Sequence, residues 1–243
     1  MTITPGPSAA PAPKGLVARF AGIVLSPKET FTSVVATPRW LGMLAAITIL
    51  LAVMTTAFLS TEVGRQALLD QQISSMESFG MTVTDEQYAQ IEQRIGMSAY
   101  FGGAAQLVTI PIVYVVMAGL LFLIFNAGMG GVASFKQVYT VVVHAGAISI
   151  VQQLFVLPLN YVRGSMASPT NLAALLPMLP EDSFFAYLLG AIDVFLIWWV
   201  FVLAIGLGVM YKRRTQPVAI MLFVIYAVIA VIIAGVRTYM GGS

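Results

Sequence analysis

Five stretches of the chain are apolar over twenty or more residues, and more polar segments of different lengths separate them. They are residues 40–59, 104–126, 137–159, 187–210 and 217–236. A helix needs about 20 apolar residues to cross a hydrocarbon core of ~30 Å, so each stretch is predicted to be a transmembrane helix. The pattern therefore predicts an all-α, polytopic membrane protein with five transmembrane helices.

Two shorter amphipathic segments precede the first span. Apolar residues recur at helical spacing between residues 15 and 25, a length too short to cross a membrane. Ser26 and Glu29 have the spacing of a capping box, which predicts a second short helix over residues 27–35. Both helices are expected at the cytoplasmic membrane surface, either as ordinary pre-membrane helices or as a docking surface for a partner. The Pro/Ala-rich residues 1–14 are predicted to be a disordered cytoplasmic tail.

The longest polar segment, residues 60–98, lies between the first two spans. Thr84 and Gln87 form a second capping box, which predicts a helix that ends near Ile95. Gly80 is expected to separate this helix from the one before it. The segment therefore predicts a helical hairpin outside the membrane.

Basic residues are distributed unevenly between the two sides of the five-span scheme. The side of the N-terminus has eight with one acidic residue, whereas the other side has four with eight acidic residues. The eight are Lys14, Arg19, Lys28, Arg39, Lys136, Lys212, Arg213 and Arg214. Because basic loops stay in the cytoplasm, the N-terminus is predicted to be cytoplasmic and the C-terminus outside. The membrane domain is predicted to cover residues 15–238, and residues 239–243 form a short C-terminal tail.

Composition supports this class and removes others. Hydrophobic residues make up 59% of the chain and charged residues only 9%, against about a quarter in soluble domains. The net charge of +2 gives no indication of a nucleic-acid partner. With no cysteine and one histidine, disulfides, zinc clusters and iron–sulfur ligation by this chain alone are excluded. No cofactor or metal site is expected.

Four polar residues within the predicted spans are candidates for function: Asp193, His144, Gln152 and Gln153. An ionisable group inside a membrane is costly and is often functional. A rise of 1.5 Å per residue places Asp193 at the depth of the two glutamines and on the other side of the midplane from His144. We therefore predict a hydrogen bond between Asp193 and Gln152 or Gln153. A purely structural contact is favoured over a proton relay or a ligand site, which stays open.

Arrangements that carry out membrane chemistry are not found. A lone histidine cannot form an H-E-x-x-H motif, and a single aspartate within a span excludes a two-aspartate protease. A nucleophilic serine would need His144 as its base. The turn at residues 128–131 lacks the lysine and hydroxyl residue of a phosphate loop. We predict that the protein is not an enzyme, and we assign no catalytic residue.

Several short motifs resemble those of a known family. They are Ser26-Pro27-Lys28-Glu29-Thr30-Phe31 with Pro38, Asn171-Leu172, Ile192-Asp193-Val194-Phe195, Ile197-Trp198 and Gly206-Leu207-Gly208. In these motifs the chain resembles the bacterial branch of the Yip (Ypt-interacting protein) family, over about residues 16–236. The resemblance implies five spans and a cytoplasmic N-terminus, in the inner (plasma) membrane if the source is bacterial.

The resemblance has limited implications for activity. Eukaryotic Yip proteins reside in Golgi and endoplasmic reticulum membranes, where they associate with prenylated Rab-type GTPases and with one another and act in vesicle formation. No catalytic residues carry over from the family. This chain lacks the long hydrophilic N-terminal domain and the D-L-Y-G-P-type motif of eukaryotic members, so GTPase binding is doubtful here.

Two functional hypotheses follow. The first is a non-catalytic membrane protein that acts through helix–helix and partner association in membrane organisation or trafficking. Its partners would be the lipid bilayer and other membrane proteins, in homo- or hetero-oligomers. The second is a small permease or channel component that uses Asp193, Gln152, Gln153 and His144. A membrane enzyme ranks third because no pair of nucleophile and base is present.

Overall fold

The computed structural model describes residues 15–77, 80–176, 178–180 and 183–241, and within these ranges the chain is helical with no β-strand. The helices are α1 (Leu16–Leu25), α2 (Pro27–Ala36), α3 (Leu41–Leu59), α4 (Glu62–Glu77), α5 (Asp85–Phe122), α6 (Phe135–Ala145), α7 (Ile148–Arg163), α8 (Phe184–Ala191), α9 (Val194–Met210) and α10 (Thr215–Gly241). A π-helical turn extends α5 to Gly128, and a 3₁₀ turn, Ala173–Leu175, lies between α7 and α8. The predicted tail 1–14 lies outside the described residues. The predicted C-terminal tail is helical as far as Gly241.

Four helical segments of the described chain are long and apolar enough to cross a membrane. They are Leu41–Leu59, Tyr100–Gly128, Phe135–Arg163 and Thr215–Met240. The remaining predicted span, residues 187–210, is divided between α8 and α9. With 17 residues, α9 lies at the lower limit of a spanning helix. The all-α class is therefore confirmed, whereas the count of five spans stays a prediction.

A second interruption divides the most enclosed of these segments, between α6 and α7. α6 ends at Ala145 and α7 begins at Ile148. A side chain on Gly146 would overlap the hydroxyl of Tyr114 in α5. Glycine at this position therefore allows α5 to approach the break closely.

The predicted helical hairpin is present, but its second arm differs from the prediction. Thr84 and Gln87 form the predicted capping box, with the Gln87 amide nitrogen 3.3 Å from the Thr84 hydroxyl. Gly80 has φ +73° in the turn between α4 and α5. However, α5 does not end near Ile95 and continues to Phe122, a length of about 57 Å. Beyond Ile95, α5 packs against α3, and this contact stabilises its continuation. The two helices approach closely at Gly103, where any side chain would overlap Thr56.

The two short N-terminal helices are present at the predicted positions. α2 begins at Pro27, but the Ser26 side chain makes no capping hydrogen bond, so the predicted capping box does not form. α1 has an exposed apolar face in the structure: it buries Ile23 and exposes Val17 and Leu25, at 77% and 81% of their surface. An exposed apolar face of this kind is typical of a helix that lies on a membrane.

The inner face of these helices is part of the hydrophobic core. Phe31 of α2 is fully buried, in the same cluster as residues of α6 and α9. A Cβ atom on Gly206 would lie 2.9 Å from the Phe31 ring and 2.6 Å from Val141. The inner face of α2 is packed against α6 and α9 and is not accessible to a partner. Only the outer face of α2 is accessible to a partner or to lipid.

Candidate functional site

The break between α8 and α9 is held by the loop that follows α7. The backbone amide of Leu172 donates to the Ile192 carbonyl at 3.0 Å, and the amide of Val194 donates to the Thr170 carbonyl at 3.2 Å. These two bonds flank an isolated antiparallel bridge between Asn171 and Asp193. Backbone groups that a helix break leaves unpaired are costly in an apolar environment, and the loop satisfies two of them.

Asp193 connects the loop to the start of α9 with both of its carboxylate oxygens. Oδ1 accepts from the backbone amides of Phe195 at 2.8 Å and Leu196 at 3.3 Å, so Asp193 is the N-cap residue of α9. Oδ2 accepts from the hydroxyls of Ser168 at 2.7 Å and Thr170 at 2.6 Å. The residue is only 7% exposed. We call Asp193, Ser168 and Thr170 the Asp193 clamp.

The clamp replaces the predicted contact between Asp193 and a glutamine. The prediction treated residues 187–210 as one continuous helix, in which the depth of Asp193 matched that of Gln152 and Gln153. The break moves Asp193 to a helix N-terminus, where two backbone amides and the folded-back loop supply its hydrogen bonds. Gln152 and Gln153 instead line a cavity of about 260 Å³ between α3, α5 and α7.

His144 is fully buried and contacts α1 rather than Asp193. Its Nδ1 lies 2.8 Å from the carbonyl oxygen of Thr140, which can only accept, so Nδ1 carries the proton. Nε2 is then the acceptor for Nη1 of Arg19, at 3.3 Å. The same Arg19 nitrogen donates to the Arg39 carbonyl at 2.8 Å. Nε2 of His144 therefore connects the bundle to α1, while Nδ1 holds the ring to the backbone of its own helix, α6.

Tyr226 of α10 also supports the break, because its hydroxyl donates to the carbonyl of Ala191, the last residue of α8. We expect Tyr226→Phe to lower the free energy of unfolding by about 1 kcal/mol, the usual contribution of one hydrogen bond. For a chain of this length, this corresponds to a fall of about 2–4 °C in the melting temperature in detergent. Tyr239→Phe, at a residue 83% exposed, is the matched control. Equal melting temperatures of the two variants would contradict the role of Tyr226.

The geometry of the fold and of its polar contacts defines a class of protein. Long apolar helices enclose Asp193 and His144, and both residues make hydrogen bonds that hold one segment to another. Among the described residues, no group of three or more acidic or histidine side chains could hold a metal ion. The chain is an α-helical integral membrane protein whose enclosed ionisable groups have structural partners.

The family follows from a comparison with known proteins. The Yip1 domain matches residues 21–236, nearly the whole length from α1 to α10, and the chain belongs to this family. The family consists of non-enzymatic membrane proteins. No curated protein and no solved structure matches the chain significantly. The resemblance to the Yip family is thus confirmed, and assignment to its bacterial branch stays a prediction.

Two of the motifs that carried the resemblance meet in the structure. Asn171-Leu172 forms one side of the isolated bridge, and Ile192-Asp193 forms the other. Gly206, from another of the motifs, lies against Phe31 of the N-terminal motif. The family motifs therefore coincide with two contacts that determine how the helices are arranged.

Proposed function

We propose that the protein is a non-catalytic component of its membrane that acts by associating with other membrane proteins. The observation that supports this most strongly is that both oxygens of Asp193 and both ring nitrogens of His144 are engaged in contacts within the fold. Neither residue is available for a substrate or a relay. In this proposal α8 and α9 together form the fifth span, and the N-terminus is cytoplasmic, in agreement with the distribution of basic residues.

A stripe of branched aliphatic residues on α10 is the surface proposed for association. Its members recur every fourth residue and expose between 51% and 58% of their surface. They are Ile220, Val224, Val228, Ile232 and Val236. Residues four apart are neighbours along a ridge that winds slowly around the helix, and β-branched side chains have one strongly preferred rotamer in a helix. They therefore lose little conformational entropy when they pack against a second helix, an advantage where association depends on van der Waals contact.

Site-specific photocrosslinking in the native membrane tests this surface. A photoreactive amino acid at Val228 should form protein adducts, either with a second copy of the chain or with another membrane protein. The same amino acid at Ala230, on the same helix but only 6% exposed, is the control and should form none. Repeating the experiment with purified chain in vesicles distinguishes self-association from a second protein. Adducts with lipid alone at every stripe position would contradict the proposal.

A small permease is the second candidate, and one observation favours it. The cavity lined by Gln152 and Gln153 also contains Gln106, whose Oε1 is buried without a hydrogen-bond partner, although its amide donates to Thr55 at 2.8 Å. Asp193 and His144 are not among the residues that line this cavity. Solute or proton flux into vesicles that is lost in Gln152→Leu would favour the permease over the association proposal.

A further inference from the structure

A second cavity lies at the end of the bundle where α9 stops. Its volume is about 330 Å³, and its walls are the loop at residues 130–133 and the turn at residues 210–213, with Gln137 of α6. Neither the clamp nor the proposed association surface includes these residues. We call it the basic cavity, because Lys212 and Arg213 are its charged residues.

The basic cavity has positive charge without acidic compensation. None of its lining residues is acidic, and no acidic residue occurs in the sequence from 93 to 180 or after Asp193. In the described part of the chain, neither Lys212 nor Arg213 has an ion-pair partner. Two exposed cations at a concave surface attract anions, and an arginine beside a lysine is suited to the oxygens of a phosphate group.

The backbone holds Lys212 in a conformation that lysine rarely adopts. Its φ is +52°, in the left-handed region, and it is the only non-glycine residue with positive φ in the described ranges. It directly follows Tyr211, the C-cap of α9, at the position where glycine is usual. A non-glycine residue costs free energy there, and residues held in such conformations cluster at ligand and active sites.

The walls of the cavity are packed before any ligand is present. Tyr211 stacks on Phe125 with ring centroids 4.9 Å apart, and its hydroxyl donates to Oδ1 of Asn126 at 2.8 Å. Nη2 of Arg213 donates to the Met129 carbonyl at 3.3 Å. This bond uses one of the five N–H donors of the guanidinium. These contacts hold the guanidinium beside the loop, so little order has to be gained on binding.

We propose that the basic cavity binds the phosphate group of an anionic lipid headgroup. The cavity lies where an apolar helix ends, which is the level of the headgroups for a helix that spans or enters a bilayer. Val132, at the rim, is 98% exposed, and nearby Met129 is 38% exposed. Apolar side chains beside the two cations favour a ligand that belongs to the membrane over a soluble phosphate.

The test measures lipid bound to the full chain. Protein is exchanged into nanodiscs of phosphatidylglycerol and phosphatidylcholine, and native mass spectrometry reports the lipid that each variant retains. Lys212→Gln with Arg213→Gln should weaken retention of phosphatidylglycerol by about fivefold for each cation removed. Lys28→Gln with Arg39→Gln removes the same charge from exposed positions outside the cavity and should weaken retention by clearly less than the pair at Lys212 and Arg213.

A single variant separates lipid binding from a loss of folding. Lys212→Gly removes a charge while relieving the left-handed backbone, so it should keep or raise the melting temperature and still weaken retention of phosphatidylglycerol about fivefold. Equal retention by the wild type and the double variant at Lys212 and Arg213 would overturn the proposal, as would equal loss in the control pair. Saturable binding of inorganic phosphate in pure phosphatidylcholine, without selectivity for the anionic lipid, would overturn the assignment to a lipid.

Discussion

Replacing Phe31 with alanine is expected to lower the free energy of unfolding by about 3–5 kcal/mol, the range for truncating a fully buried phenylalanine. Phe31 is fully buried in the main cluster, where its ring faces Gly206 of α9. Removal of the ring would leave a cavity between α2 and α9, and the backbone around Gly206 cannot fill this cavity unless α2 moves. The change is measured by thermal or denaturant unfolding of the full chain in detergent.

Phe101→Ala provides the control for this variant. Phe101 is also in a helix but exposes 70% of its surface, so its truncation should change stability by less than about 1 kcal/mol. Equal stability of the two variants would show that α2 is not part of the core. A deletion of α1 and α2 would uncover the core around Val141. If a chain with this deletion no longer bound a partner protein, the loss would therefore not show that α1 and α2 are the docking surface.

Asp193→Ala is expected to cost about 3 kcal/mol. The loss combines about 1 kcal/mol for the N-cap of α9 with about 1 kcal/mol or more for each hydroxyl left without its carboxylate, those of Ser168 and Thr170. Asp193→Asn should cost only about 1 kcal/mol, because asparagine caps a helix as well as aspartate does, and the hydroxyls can accept from its amide. The measurement is again the unfolding free energy in detergent.

Asp85→Ala is the matched control for the clamp. Asp85 lies in the first turn of α5 and is exposed, so its removal should cost only a few tenths of a kcal/mol. The order of stability expected is Asp85→Ala, then Asp193→Asn, then Asp193→Ala. If Asp193→Ala were as stable as Asp193→Asn, the hydrogen bonds of the clamp would not hold the break. If Asp193→Asn abolished a solute flux without loss of stability, a permease would be favoured.

The apolar runs predicted most of the helices, because hydrophobic length is a direct consequence of the membrane. The break at Ile192 was missed for the same reason: apolar residues lie on both sides of it, so the run appears continuous. A local signal was available, since aspartate directly before an apolar helix is a preferred N-cap. The partners Ser168 and Thr170 could not be found in this way, because the loop that carries them folds back from 23 to 25 residues away.

The two N-terminal helices show the same limit. Their existence follows from periodicity, but their packing depends on contacts far apart in the sequence. Gly206 belongs to one of the motifs that carried the resemblance, yet nothing near it in the sequence indicates that Phe31 is its partner. Likewise, a histidine within an apolar span gives no indication of Arg19, 125 residues away. The position of these residues is therefore determined by tertiary contacts, one apolar and one polar, between segments far apart in the sequence. Sequence periodicity does not encode such contacts.

Asp193 holds the loop after α7 to the helix break as a structural contact, and engineered cysteines test this role most directly. Asn171 and Asp193 form a bridge without hydrogen bonds between the pair, a geometry with Cα atoms about 4.5 Å apart that accommodates a disulfide. The chain has no native cysteine. We expect the double variant Asn171→Cys with Asp193→Cys to form a disulfide, and its oxidised form to recover the melting temperature that Asp193→Cys alone loses. Failure of the disulfide to form, or an oxidised form no more stable than the reduced one, would contradict the claim.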